Sequence, residues 1–404
     1  MAVSTDRRPP LFEYARASAL MDAAGVDLLL ACSPANVGYL ADYTYYVHGG
    51  QPYVLEDGRE WSITFVGIPR DPSRTAFMTP VTSEHGSVAH ADPWIADRRL
   101  WGPTWTYVGT ASVSASPADA AVCVADALKD RGLDRGRIAL ELAAVPAQRY
   151  LRLRELLPHV EFVDAASILR TLRIVKSHEE LARLRTIAGA TDAAIKAGYD
   201  ALDAGCSELE FQRVMATSLS SDGMRFGWCS VAYGPKGVTL IEPTDRLPVR
   251  GEVVRVDLVG FYRGYFSDMS RVGSFAQQPD DAGRRAHEAI LKTNEVMRRE
   301  TGPGMPVARL GALAHETLKA HGFEMLASQA GHGIGRDVHE PPYLAPWDDD
   351  VLRPGMVIDL EPAMRVADVG SVNIEDMVVV TESGCEALTN FPRNLIVYGT
   401  GGAA

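Results

Sequence analysis

Gly331-His332-Gly333-Ile334-Gly335 opens the stretch on which the reading of this chain turns. It continues through Val338-His339-Glu340-Pro341 and Asp359-Leu360-Glu361-Pro362, and closes at Asn373-Ile374-Glu375-Asp376. Two aspartates stand upstream and eleven residues apart, Asp257 in Val256-Asp257-Leu258 and Asp268 in Ser267-Asp268-Met269-Ser270-Arg271. Asp257, Asp268, His332, Glu361 and Glu375 together offer four carboxylates and one imidazole. Hard oxygen donors with a single nitrogen suit Mn²⁺, Fe²⁺, Co²⁺ or Zn²⁺ better than a structural thiolate zinc. Four carboxylates gathered in one pocket need cations, and two divalent ions bridged by some of them would neutralise the charge.

Taken one at a time, these residues decide little. Asp257 lies in the apolar run Val253-Val254-Arg255-Val256-Asp257-Leu258-Val259, where a lone carboxylate is costly unless paired or bound to metal. On its own it reads equally well as an aspartate satisfied by the backbone or by Arg255. Asp268 falls on the expected next strand, so two adjacent strands can turn both carboxylates into one pocket. Glycines flanking His332 suggest a backbone packed tightly around a ligand, although a histidine so flanked is more often a turn residue. Glu361 before Pro362, and Glu375 in an apolar strand, are weak singly. The joint pattern selects the metal.

In order and spacing the set resembles the pita-bread metallopeptidases, a family that includes methionine aminopeptidase, aminopeptidase P, prolidase and the non-metal relative creatinase. The matching segments are Asp257–Arg271, Gly331–Pro341, Gly355–Pro362 and Gly370–Gly384. The resemblance implies an α+β pita-bread catalytic domain preceded by an α/β creatinase-like N-terminal domain. It implies that Asp268 and Glu375 bridge two ions, with Asp257 on one and His332 and Glu361 on the other. Glu361 would hold and shuttle the proton of the attacking water. His339 matches the family histidine that contacts the substrate carbonyl region; the rival is a turn residue beside Pro341-Pro342. Arg365 lies where prolidase-like members place a residue near the substrate.

The activity so implied is that of a dinuclear metal-dependent hydrolase similar to Xaa-Pro dipeptidases and aminopeptidases, cleaving a C–N bond in a small or dipeptide-sized substrate. One departure stands against ordinary Xaa-Pro cleavage. Family peptidases carry a further histidine ahead of the first metal aspartate, near the scissile nitrogen. Here Gly234-Pro235-Lys236-Gly237-Val238-Thr239-Leu240-Ile241-Glu242-Pro243 contains none. Glu242, Lys236 or Tyr233 are the candidate substitutes, and the sequence does not choose among them. The alternatives are an ectoine-type amide hydrolase or a C–S lyase on the same fold, and, from another class, a non-catalytic binding module.

Composition narrows the setting. A chain of 404 residues with 46% hydrophobic and 23% charged residues is long enough for two globular domains. Its net charge of −12 argues against nucleic acid or an anionic membrane as partner. No apolar run reaches the length of a membrane span, and five scattered cysteines without metal spacing read as reduced thiols, so a cytoplasmic location is expected.

Apolar patterning predicts a helix over 11–24, a strand buried on both faces at 26–31, and further strands at 61–68, 74–78, 104–108, 137–142 and 161–164. Helices are expected at 117–129 and 146–156 between them. The segment Cys32–Leu40 is similar to one that leads towards the active-site mouth in creatinase and prolidase N-terminal domains. With the aromatic run after Tyr43, it suggests a homodimer in which one chain closes the other's site. Character changes near residue 170. Ser177 followed by acids caps a long helix to about residue 204, which divides the chain into 1–170 and 171–404. Beyond it come a helix at 209–220, strands at 253–259, 265–272, 357–360 and 374–381, and helices at 281–301 and 307–321.

Overall fold

A computed structural model of the chain describes residues 9–43, 63–81, 93–102, 119–236 and 242–399. The chain divides into two units, Met1–Arg173 and Ile174–Ala404.

The first unit is built on β1 (Leu28–Ala31), whose four residues are all buried, as expected of a strand covered on both faces. Around it lie β2 (Phe65–Pro69), β3 (Phe77–Thr79), β4 (Asp97–Arg98), β5 (Gly136–Leu140) and β6 (Val160–Asp164), in the order β4-β3-β2-β1-β5-β6. β5 and β6 run parallel to β1 while β2 is antiparallel, so the sheet is mixed. The helices Ala120–Asp130 and Ala147–Leu156 pack over it on Leu28, Leu30, Phe65, Ile138 and Leu140. The Cys32–Leu40 segment forms a helix, Pro34–Ala41, with the Ser33 side chain accepting from the Asn36 amide. Glu141 fastens its start, accepting from the amides of Cys32 and Ser33 and from the Asn36 side chain. The strand expected at 104–108 and the aromatic run from residue 44 onward lie outside the described residues.

In the second unit the helix His178–Asp200 begins with a full capping box between Ser177 and Glu180, and Glu208–Ser221 packs beside it. β7 (Arg225–Tyr233), β8 (Val253–Tyr262) and β9 (Tyr265–Phe275) form an antiparallel meander. Alternation along these strands is strict. Cys229, Val231 and Tyr233, then Val254, Val256 and Leu258, then Met269 enter one core with the two helices. Ser230, Arg255, Asp257, Asp268 and Ser270 therefore share the other face. The chain proceeds through the helices Asp281–Glu300 and Val307–Ala320 to β10 (Gly331–Gly333), β11 (Glu340–Tyr343) and β12 (Val357–Leu360). A hairpin of β13 (Ala363–Val366) and β14 (Gly370–Asn373) follows, then β15 (Asp376–Thr381), β16 (Gly384–Ala387) and β17 (Val397–Tyr398). β11-β10-β12-β15-β16 form an antiparallel sheet, and β17 joins the meander beside β9.

Ile358 and Leu360 of β12, with Val378 and Val380 of β15, lie in a second core beneath Met297, Val307, Leu310 and Ala314. Two details differ from the sequence-based expectation. The meander begins with β7 at Arg225, ahead of the first strand expected at 253–259, and Glu375 sits in the connection between β14 and β15 rather than inside a strand.

His287, on the helix Asp281–Glu300, is buried with Nε2 3.0 Å from the Arg393 carbonyl oxygen. Burial lowers its imidazole to about 4, with the bond to Arg393 acting the other way. A folded-state value below the unfolded one makes folding favour the neutral ring. That stability is present above about pH 6.5 and is lost as pH falls through about 4. His287→Gln is expected to flatten acid unfolding in this window by up to about 3 kcal/mol. Urea titrations at pH 7 and pH 4 with equal losses for variant and parent would refute it.

Candidate metal centre

The two sheets supply the donors. On the meander Asp257 pairs with Ser270 and Asp268 with Val259, an offset of two residues that leaves both carboxylates on the same face as diagonal neighbours. On the other sheet His332 lies between Tyr343 of β11 and Asp359 of β12, and Glu361 follows β12 directly. Glu375 is joined to the meander by its amide, which donates to the Ser270 carbonyl at 3.1 Å.

The glycines around His332 have a packing cause. A Cβ on Gly331, whose φ is +152°, would stand 2.1 Å from the Asp359 carbonyl oxygen, and one on Gly333 would stand 2.4 Å from that of Pro341. Neighbouring strands, not a ligand, forbid side chains there.

Donor atoms converge in three overlapping groups, each with its atoms within 4.8 Å of one another: Asp257, Asp268 and Glu375; His332, Glu361 and Glu375; Asp268, His332 and His339. Glu375 is common to the first two, and Asp268 joins the first to the third. His332 is fully buried, with Nδ1 3.0 Å from the Gly333 carbonyl oxygen. That bond places the proton on Nδ1 and leaves the Nε2 lone pair facing inward. His332 Nε2, Asp268 Oδ1 and Glu375 Oε2 are buried and have no hydrogen-bond partner among the described residues. Unpaired acceptors of this kind are rare in folded proteins. They fit divalent cations, and so does the hard donor set.

The electrostatics agree with that fit. Burial, then the neighbouring carboxylates, push Asp268 and Glu375 well above the ordinary range. Burial also raises Asp257, against the nearby Arg255 charge. Glu361 is pushed up to about 8, first by burial and then by Asp257. Burial lowers His332 to about 3, with His339 adding to it. So much like charge is tolerable without protons only beside cations.

Asp257 is also paired with Arg255, whose guanidinium reaches it at 2.5 Å and also binds Ser230 and Asn373. The arginine partner and the donor group thus coexist. His339 is at the exposed rim, its ring 4.0 Å from that of His332 between centroids. Partial enclosure lowers its imidazole, with Asp257 opposing. The next residue, Glu340, is buried and holds Lys176 at 2.8 Å. Arg271 donates to the Glu375 carbonyl at 2.6 Å, to Asp376 at 2.7 Å and to the Phe391 carbonyl at 3.0 Å, fixing the connection that carries Glu375.

Among the candidate replacements for the absent histidine, Tyr233 is excluded by position. It faces the apolar core, and its hydroxyl donates to the Cys206 carbonyl at 3.2 Å. Glu242 is exposed, and residues 237–241 lie outside the described residues. Arg365 is exposed on β13. Arg271 and Glu340 lie inside the matching segments without a role assigned to them there, and Lys176 carries no motif. Asp359 did carry one: like Asp257, it is an acid inside an apolar strand.

Residues 182–382 match the model of metallopeptidase family M24, and residues 14–175 match the creatinase/prolidase N-terminal domain. The Xaa-Pro dipeptidase of Pyrococcus furiosus is 30% identical over 247 residues, 58% of this chain and 69% of that protein. A putative dipeptidase of Bacillus subtilis is 30% identical over 277 residues, 67% of this chain and 76% of its own. An X-Pro aminopeptidase from Thermotoga maritima superposes with a TM-score of 0.79 over 95% of this chain and 99% of that one, at 21% identity, a likeness of fold alone. The dipeptidase PepE of Mycobacterium ulcerans gives 0.77 over 95% of this chain and 96% of that one, at 26% identity. No described helix is long and apolar enough to cross a membrane. With a relative this similar over most of its length, and a cluster of hard donors where the family model matches, the chain belongs to metallopeptidase family M24 and is a metal-dependent hydrolase.

Proposed function

We propose that this protein hydrolyses the amide bond of dipeptide-sized substrates with two divalent ions held by Asp257, Asp268, His332, Glu361 and Glu375. Mn, Fe, Co or Zn is the class of ion these donors suit. The observation that carries the reading is the overlap of three donor groups, in which His332 Nε2, Asp268 Oδ1 and Glu375 Oε2 are buried without a hydrogen-bond partner among the described residues. Relatives bearing the name Xaa-Pro dipeptidase support the size of the substrate.

When bound, the ions supply Lewis acidity and a water acidified to near neutrality. The residues do the rest. Asp268 and Glu375 would hold both ions, Asp257, oriented by Arg255, would hold one, and His332 Nε2 would hold the other. Glu361 would take and hold the proton of the attacking water and give it up to the amine product once the C–N bond has broken. His339 at the rim donates from its ring to the oxyanion that forms at the substrate carbonyl. Residues 1–170 form the creatinase/prolidase-like N-terminal domain and 171–404 the catalytic domain. A cytoplasmic homodimer completes the reading; light scattering that gives a monomer at micromolar concentration removes the dimer.

The test is to strip the protein with a chelator, reload it with Mn²⁺ or Co²⁺, and assay a panel of dipeptides and small non-peptide amides. About two ions per chain by elemental analysis and metal-dependent dipeptide hydrolysis are expected, with Glu361→Gln lowering kcat by about 10²- to 10⁴-fold. No retained metal and no activation on reloading would defeat the reading. Turnover confined to non-peptide amides would move the chain to a specialised activity on the same fold, which the histidine-free segment 234–243 favours.

A further inference from the structure

Asp359 is an acid that the five-donor set leaves unused. It is fully buried, and neither carboxylate oxygen has a hydrogen-bond partner among the described residues. Its direction is fixed by the strand. Ile358 and Leu360 on either side enter the apolar core, so Asp359 faces the other way. That face is the one occupied by His332, its directly opposed partner in the ladder. Asp359 is in electrostatic reach of all four carboxylates of the centre, Asp257, Asp268, Glu361 and Glu375. Among the described residues no arginine or lysine binds it; the nearby Arg271 is hydrogen-bonded to Asp376. A buried carboxylate without partners on the face of a cation site is too costly to be packing alone.

We propose that Asp359 is a fifth carboxylate of the metal centre, a positioning residue whose charge strengthens cation binding and whose oxygens accept hydrogen bonds from water around the ions. The charge count supports this. Five carboxylates and the Arg255 guanidinium sum to −4, which two divalent ions balance. Arg255 offsets one of the four ligand carboxylates, and Asp359 restores the charge that would otherwise be short.

This rests on the metal reading above, so the experiment separates the two. Co²⁺ is titrated by calorimetry into stripped wild-type protein, Asp359→Asn, which keeps the shape, and Asp359→Ser. The thermal midpoint is read with and without metal, and the visible Co²⁺ spectrum is recorded. Both variants should melt above the parent when metal-free, because one repelling charge is gone. Both should bind Co²⁺ about 10- to 100-fold more weakly, as loss of an outer partner does, with a shifted spectrum. Affinity and spectrum equal to the parent's would overturn the proposal, as would variants that are less stable than the parent or unfolded without metal. A wild-type protein that binds no Co²⁺ would instead end the metal reading itself.

Discussion

Asp268→Ala is expected to abolish measurable hydrolysis and to strip most of the metal, whereas His332→Ala should keep one ion and part of the second. The difference follows from position. In the proposed arrangement Asp268 bridges, standing with Asp257 and Glu375 in one donor group and with His332 in another, so its loss would reach both ions. Removing a buried charged partner costs about 3–5 kcal/mol, equivalent to about 10²- to 10⁴-fold in binding. In the same arrangement His332, which shares donor groups with Asp268 and with Glu361 and Glu375, is a neutral donor to one ion, and its removal should weaken that ion by about 10- to 100-fold. The metal-free Asp268→Ala protein should also melt above the metal-free parent. Burial and the charges of Asp257, Asp359 and Glu361 already push that carboxyl far up, so deleting it relieves the nest. Metal analysis and calorimetry on the two variants check this. Equal ion loss from both would remove the bridging role of Asp268.

Gly-Pro and Ala-Pro should be poor substrates of the unaltered protein, by about 10²- to 10⁴-fold against an efficient peptidase, the usual worth of proton donation to a leaving group. The reason is the absence of histidine from 234–243. The structure sharpens the expectation by removing one substitute, since the Tyr233 hydroxyl is bound to the Cys206 carbonyl within an apolar core. Leu240→His or Ile241→His should then raise dipeptide turnover by a large part of the missing factor, while the metal content stays unchanged. A fast reaction of the unaltered protein with Gly-Pro would show that a donor is already in place, and Glu242→Gln would be the next variant to assay. A histidine variant that gains nothing would mean that the leaving group never lacked its proton.

Much of this was readable before any coordinates. Ser177 with Glu180 announced the start of the long helix, because a capping box is written in four consecutive residues. Asp257 announced itself as an acid among valines. The nearby pair Asp257 and Asp268 was readable as two carboxylates on adjacent strands, with the register set by the turn after Tyr262. Contacts of high sequence separation were not readable. The link from Arg271 to Glu375 spans more than a hundred residues. The glycines at 331 and 333 were readable as close approach, but not as approach to strands rather than to a ligand. The short strands β10 and β11 were invisible to periodicity because three or four residues carry no pattern. Asp359 was overlooked for a different reason: its neighbour Glu361 already fitted a motif.

The Arg271 guanidinium makes the tail of the chain a structural relay. It grips the Phe391 carbonyl with the same group that holds Glu375 and Asp376, and Arg393 adds a second grip on Asp376. Residues near 391 belong to none of the donor groups among the described residues, yet their seating is coupled to Glu375 through one planar cation. Trimming the chain ahead of residue 393, or hanging a bulky fusion there, would loosen the hold on Glu375 at one remove. A change at 391–393 is therefore not neutral, and a preparation weakened by one would resemble a ligand mutant with every ligand intact.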